Sequence, residues 1–306
     1  DASAPERPDA YWRLICMAGK GIGKRRALLP YLLLLPSLVV LGMFVFYPFV
    51  RNIVLSLTMT DVAGNVVKFV GLRNFERLFG NKTFLNSLQV SFRFAVMVGV
   101  PTFVLGFVLA LAAAEQKRGS RIYETMYTMP LVIAAAPASA IWYMVFSSTG
   151  GMLNYLTGLN HPWLSDPSTA IWCVAAVTVW ANLGINIIFL LTGFRNVPQE
   201  LIESAKIDGA GYLVRVRKII VPLASPQIFF VVFYNIVTSF QTFAQVRLLT
   251  DGGPYYSTNV LIFQIYKEAF YNSRFYNACA MSVILFLIIF IITRVQFFFE
   301  NKGVHY

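Results

Sequence analysis

Six runs of apolar residues, each long enough for a membrane-crossing helix, constrain this chain more than any other feature. They lie at roughly 27–50, 89–114, 124–147, 169–193, 223–245 and 276–297. A helix needs about 20 such residues to cross the hydrocarbon layer. Composition points the same way: 57% hydrophobic and 13% charged residues, with a mean hydropathy of +0.63, leave too little polar surface for a water-soluble domain of 306 residues. A closed β-barrel also satisfies its backbone in lipid, but it needs short alternating strands, and the pattern offers none. The expectation is an all-α integral membrane protein with six transmembrane helices.

Lys and Arg set the orientation. With the N-terminus inside, the inner segments carry 16 of them and the outer segments 8, while Arg93 falls within the second run. That bias places both termini in the cytoplasm. The net charge of +11 then reflects topology and attraction to anionic lipid, not nucleic acid, since no basic face with interleaved stacking aromatics is present. Organisation follows: a basic cytoplasmic tail at 1–26, a six-helix domain at 27–298 with a cytoplasmic hairpin at 196–222, and a short cytoplasmic tail at 299–306. An Asp at position 1 points to a trimmed start.

Several weak signals resolve to structural roles. The Gly19-Lys-Gly-Ile-Gly-Lys-Arg run is not a phosphate loop: Ala18 takes the first glycine's place, Arg25 replaces the Ser/Thr, and no strand precedes it. Cys16, Cys173 and Cys279 are too far apart for a metal site, and three is an odd number for a disulfide framework. Leu72, Phe75, Leu78 and Phe79 recur at helical spacing and predict a short amphipathic helix in the first outer segment. The Asn81-Lys-Thr83 sequon has meaning only in a glycosylating pathway. Asp251-Gly-Gly-Pro254 predicts a chain reversal in the third outer segment, with Tyr255 and Tyr256 suited to the interface.

The most informative polar stretch is the hairpin. Val197-Pro198-Gln-Glu starts a helix well, because Pro is tolerated in the first turn and Glu200 suits the positive helix end. Leu201, Ile202 and Ala205 form an apolar stripe, and Asp208-Gly209 stops the helix through a left-handed cap. A second segment from Tyr212 to Ile220 is basic, and Pro222 closes it. Most helix connections need only 2–8 residues. A protruding helix with one apolar stripe is suited to a groove on another protein.

Glu203-Ser204-Ala205, three residues, Gly209, nine residues, then Ile219-Ile-Val-Pro222 resembles the "EAA" signature of bacterial ABC importer permeases. Ser204 and Val221 depart mildly from that pattern. Asp208-Gly209-Ala210, Phe69-Val-Gly-Leu-Arg-Asn-Phe75 and Leu248-Leu-Thr-Asp-Gly-Gly-Pro254 resemble its carbohydrate-uptake branch, the maltose and glycerol-phosphate type, and the larger permease of the usual pair. The resemblance implies a type I importer in the bacterial inner membrane: a second permease subunit, two ATP-binding subunits, and an extracytoplasmic solute-binding protein. It implies that Glu203, Ser204, Ala205, Asp208, Gly209, Ala210, Ile219 and Pro222 couple this chain to one ATPase. It further implies no cofactor on this chain, ATP and Mg²⁺ being held by the partner ATPases.

Polar residues inside apolar runs are costly unless paired or facing a cavity, so they are the pathway candidates. Asn182 and Asn186 share one helical face, and Asn235 through Gln245 form an unusually polar run. Amides beside aromatic rings suit a neutral polyhydroxylated ligand, but the same amides also serve interhelical hydrogen bonds. The resemblance places sugar contacts in these two runs, which selects Asn182, Asn186, Gln241 and Thr242, with Tyr234 and Phe240 as stacking faces. Arg93 either snorkels to the interface or attracts an anionic solute, which keeps glycerol phosphate or a phosphodiester open as substrate. An ion-coupled secondary transporter would need carboxylates in the membrane, whereas Glu115 and Glu124 sit at run ends. An intramembrane enzyme is disfavoured, because His161 and His305 are the only histidines and no His-x-x-x-His or Gly-x-Ser-x-Gly pattern occurs.

Overall fold

The computed structural model describes residues 24–61, 63–115 and 120–303. Cys16, the start of the glycine-rich run and His305 lie outside the described residues, as does most of the tail expected at 1–26. The chain divides into two units, residues 1–54 and 55–306.

In the first unit, α1 (Lys24–Leu41), a π turn (Gly42–Phe46) and α2 (Tyr47–Ser56) follow without a break. Residues Tyr31–Ser56 are long and apolar enough to cross a membrane. The wide turn has a local cause. Pro48 has no N–H to give, and the backbone relaxes just before it, with the Tyr47 N–H reaching back five residues to the Gly42 carbonyl.

The second unit opens on a feature the apolar pattern did not predict. Strands β1 (Thr58–Thr60) and β2 (Val66–Phe69) pair antiparallel, with Thr58 opposite Phe69 and an irregularity after Met59. The chain is therefore not purely helical. The sequence reading missed this ribbon because its strands are only three and four residues long. Asp61 Oδ1 accepts the Asn65 N–H at 2.7 Å, and Gly64 takes φ +84°. The amphipathic helix appears as α3 (Arg73–Phe79), where Leu78 is buried, Phe75 half-buried, and Leu72 and Phe79 exposed. Buried Asn74 staples it to the ribbon by donating to the Ser56 and Thr58 carbonyls, each at 2.8 Å.

Asn81, the sequon residue, caps α4 (Lys82–Ala114), its side chain accepting the Thr83 and Phe84 N–H groups. The run expected at 124–147 is not one straight helix. α5 (Ser120–Thr128) and a 3₁₀ turn (Met129–Val132) meet α6 (Ala135–Phe146) at 101°. Pro130 and Pro137 explain the break, since each is tolerated only where no helical N–H is required. After α7 (Met152–Thr157), α8 (Ala170–Arg195) runs unbroken, matching the expected 169–193.

The hairpin comprises α9 (Gln199–Ile207), α10 (Tyr212–Arg215), a π turn (Val216–Ile220) and α11 (Val221–Leu223). Here too the π turn precedes a proline, Pro222. It bends by 75° into α12 (Ser225–Phe240), and the expected run to 245 is interrupted at Gln241 before α13 (Ala244–Leu249). α14 (Leu261–Tyr266) and a third π turn (Lys267–Tyr271) lead to α15 (Phe275–Gly303), which continues helically into the expected tail at 299–306. Among the described residues, four helices are long and apolar enough to cross a membrane, or six if each bent pair counts as one.

Three buried apolar clusters hold the second unit together. Val90, Phe94, Ile171, Val174, Val246 and Phe263 join α4, α8, α13 and α14. Ala110, Ile187, Leu190, Phe194 and Val231 join α4, α8 and α12. Leu78, Phe84, Phe240, Leu261 and Met281 gather α3, α4, α12, α14 and α15.

Candidate coupling hairpin and pathway residues

α9 ends in a complete Schellman cap. Gly209 sits at φ +77°, its N–H bonds the Lys206 carbonyl at 3.1 Å, and the Ala210 N–H bonds the Ala205 carbonyl at 2.9 Å. Any other residue at position 209 would strain the left-handed backbone. A Cβ there would meet no atom within 4 Å, so the glycine leaves open space beside the cap. Arg215 Nη1 donates to the Ala210 carbonyl at 3.2 Å and ties the second half of the hairpin to the first. Glu203, Ser204 and Asp208 are exposed, and Glu203 accepts from Gln199 Nε2 at 3.2 Å. Ala205, Ala210, Ile219 and Pro222 are half-buried.

The apolar stripe divides between two faces. Ile202 lines a cavity of about 910 Å³ between the hairpin and the ends of α4 and α8, together with Leu111, Phe194, Lys206 and Ile220. Leu201 is 46% exposed, and Ile207 and Leu213 are 86% and 79% exposed. A hairpin tied together at its turn thus leaves apolar side chains exposed on both of its helical segments.

The six pathway candidates fall into two groups. Asn186 is buried and reciprocally paired: its Nδ2 donates to Asn235 Oδ1 at 3.0 Å, and Asn235 Nδ2 donates to Asn186 Oδ1 at 2.7 Å. Its second Nδ2 proton goes to the Asn182 carbonyl at 2.9 Å, so its donors are fully used. Thr242 is buried and bonds the Thr238 carbonyl, and Phe240 is buried edge-on against Phe92. By contrast, Gln241 is exposed, Asn182 and Tyr234 are half-buried, and Tyr234 stacks on Phe230. Gln241 lines a groove of about 690 Å³ with Tyr266, Phe270 and Phe286, whereas Phe240 and Asn235 line a separate apolar pocket of about 380 Å³.

Two polar arrangements escaped the sequence reading. Asn259 donates to Gln264, while Gln264 and Asn272 both donate to Oε1 of buried Glu268. The signal was the spacing of Gln264, Glu268 and Asn272, four apart on one face. Gly252 of the predicted reversal packs over this ladder. It takes φ +79°, and a Cβ there would lie 2.7 Å from the Phe263 ring and 3.1 Å from Asn259 Oδ1. Nearby, Arg247 pairs with Asp251, which raises the guanidinium pKa, while burial lowers that of Lys267 against the pull of Asp251. The second arrangement is an ion pair between Arg195, which ends α8, and Glu124 on α5.

Comparison with known proteins assigns the framework. Residues 87–302 match the family model described as the binding-protein-dependent transport system inner membrane component. The chain is 35% identical over 283 residues to the sn-glycerol-3-phosphate transport system permease protein UgpA of Agrobacterium fabrum, covering 91% of this chain and 97% of the relative. The UgpA protein of Escherichia coli is 32% identical over 282 residues, covering 91% and 96%. The fold is that of a chain from a bacterial ABC transporter involved in import of the acidic polysaccharide alginate, with TM-score 0.81, 19% identity, and coverage of 94% and 99%. A second structure of a bacterial alginate ABC transporter, in complex with an alginate pentasaccharide-bound periplasmic protein, gives TM-score 0.80 at 19% identity.

Proposed function

Because this chain belongs to the family of binding-protein-dependent transport system inner membrane components, we propose that it forms half of the solute pathway of an ATP-driven importer and is itself non-catalytic. Each bent helix pair counts as one span, giving six, with both termini and the 196–222 hairpin in the cytoplasm. A second permease subunit completes the pathway. Two ATPase subunits hold ATP and Mg²⁺, and an external binding protein delivers the solute. The reading is supported above all by α9, a rigidly capped helix on which Leu201 is 46% and Ile207 86% exposed. Glu203 through Gly209 would seat in a cleft of one ATPase and carry its closure to the spans.

The solute is a sugar or sugar-like polyol. Asn182, Gln241 and Tyr234 are the accessible candidates for contact, while Asn186, Thr242 and Phe240 would act by shaping the wall. A phosphorylated polyol is the second reading. It is favoured by the near full-length likeness to glycerol-3-phosphate permeases and by the exposed guanidinium of Arg93 on α4. Reconstitution of the chain with its partner permease, ATPase and binding protein tests the proposal. Uptake into vesicles should require ATP inside and loaded binding protein outside, and competition by neutral sugars or by phosphorylated polyols separates the two solutes. Uptake by this chain alone, without an ATPase, would refute it.

A further inference from the structure

We infer that Arg195 and Glu124 form the joint through which movement of α9 is passed to α4 and α5, an inference that rests on the permease reading above. Arg195 is the last residue of α8, and only Asn196, Val197 and Pro198 separate it from α9. The linker is stiff at both ends: the Asn196 N–H continues the helix to the Thr192 carbonyl at 3.1 Å, and Val197 is buried. A displacement of α9 therefore acts directly on Arg195.

The Arg195 side chain binds two other elements at once. Its guanidinium meets the Glu124 carboxylate with both prongs, Nη1 to Oε2 at 3.3 Å and Nη2 closer still to Oε1. Nη2 also donates to the Ala113 carbonyl at 3.2 Å. Ala113 lies in the last turn of α4, where carbonyls lack a partner within the helix. A planar fork fixes direction as well as distance, which a lysine ammonium cannot do. α5 is held to α8 at a second point as well. A Cβ on Gly184 would lie 3.2 Å from Thr128 Cα and 3.3 Å from the Tyr127 carbonyl oxygen. The two points are roughly 16 Å apart along α8 at 1.5 Å per residue. So α5 and α8 turn together.

Magnitude separates this role from plain stabilisation. The Arg195 and Glu124 side chains keep 30% and 23% of their exposure, and ion pairs open to solvent contribute little to stability. Stabilisation alone predicts that breaking the pair changes almost nothing. A joint predicts lost coupling in a complex that still assembles.

The test uses the complete transporter in vesicles, with solute moved per ATP hydrolysed as the readout and assembled complex quantified in parallel. In Glu124→Gln and Arg195→Lys the ratio should fall about tenfold, within the usual range of coupling between sites, with the amount of complex unchanged. Arg195→Lys keeps the charge but not the fork, so a near-normal ratio there would overturn the joint. Loss of transport fully explained by loss of assembled complex would also overturn it. Absence of solute-linked hydrolysis in the unmutated complex would instead defeat the permease reading, and the joint with it.

Discussion

Gly209 combines a left-handed backbone with open space around its missing Cβ. A side chain there costs about 1–2 kcal/mol of backbone strain but clashes with nothing in this chain. Gly209→Asp should therefore insert at normal levels and abolish uptake, as should Glu203→Lys on the same exposed helix. Quantitative blotting of membranes beside solute uptake checks this, and normal uptake in both would remove the coupling role. The Asn186–Asn235 clasp calls for a different experiment. Asn186→Leu leaves a buried amide without its partner at a cost of about 1–3 kcal/mol, whereas replacing both residues by Leu removes the unmet polar group and recovers much of the loss. Thermal unfolding in detergent should rank the double variant above either single one. Asn182→Leu should leave stability unchanged and weaken uptake. A stability loss as large as that of Asn186→Leu would assign Asn182 to packing as well.

Helix crossings are set by which glycines face a neighbour. On α4, a Cβ on Gly99 would lie 3.9 Å from Ser239 Oγ, an ordinary contact, while one on Gly106 would lie 2.9 Å from Asn186 Cβ. Alanine in a helix interior is favoured over glycine by about 0.5–1 kcal/mol, so Gly99→Ala should hold or raise the melting temperature. Gly106→Ala must push α4 from α8, and overpacking of this kind costs about 1–3 kcal/mol. Its melting temperature should fall, and equal behaviour of the two variants would show that the crossing is not tight. Elements also record where proline was placed. The π turns at Gly42–Phe46 and Val216–Ile220 each precede a proline, and the 101° break falls between Pro130 and Pro137. These sites were visible in the sequence as residues, but their consequence was not, because the same proline can kink, widen or end a helix according to what packs beside it.

At the scale of the molecule, the exposed Leu201, Ile207 and Leu213 of the hairpin would be covered by the proposed ATPase partner. Saturation with the ATPase subunit should raise the melting temperature of the permease, by about 2.7 kcal/mol of stabilisation at a hundredfold excess over Kd. Glu203→Lys should lose that rise while melting normally by itself, as differential scanning fluorimetry of the purified subunits can measure. The sequence alone determined the helical membrane class, the α8 span nearly to its ends, the Asp251 reversal, and the capped helix ending at Gly209. Each is decided within about twenty consecutive residues, by apolar length or by the backbone demands of Gly and Pro. Only the tertiary structure decided that Asn186 spends its amide on Asn235, 49 residues away, and that Glu268 is buried in an amide ladder. The same holds for the grip of Arg195 on Glu124 and Ala113. A polar side chain in an apolar helix must find a partner, but which partner it finds depends on the rotation and crossing of helices distant in the chain, and no local pattern carries that information.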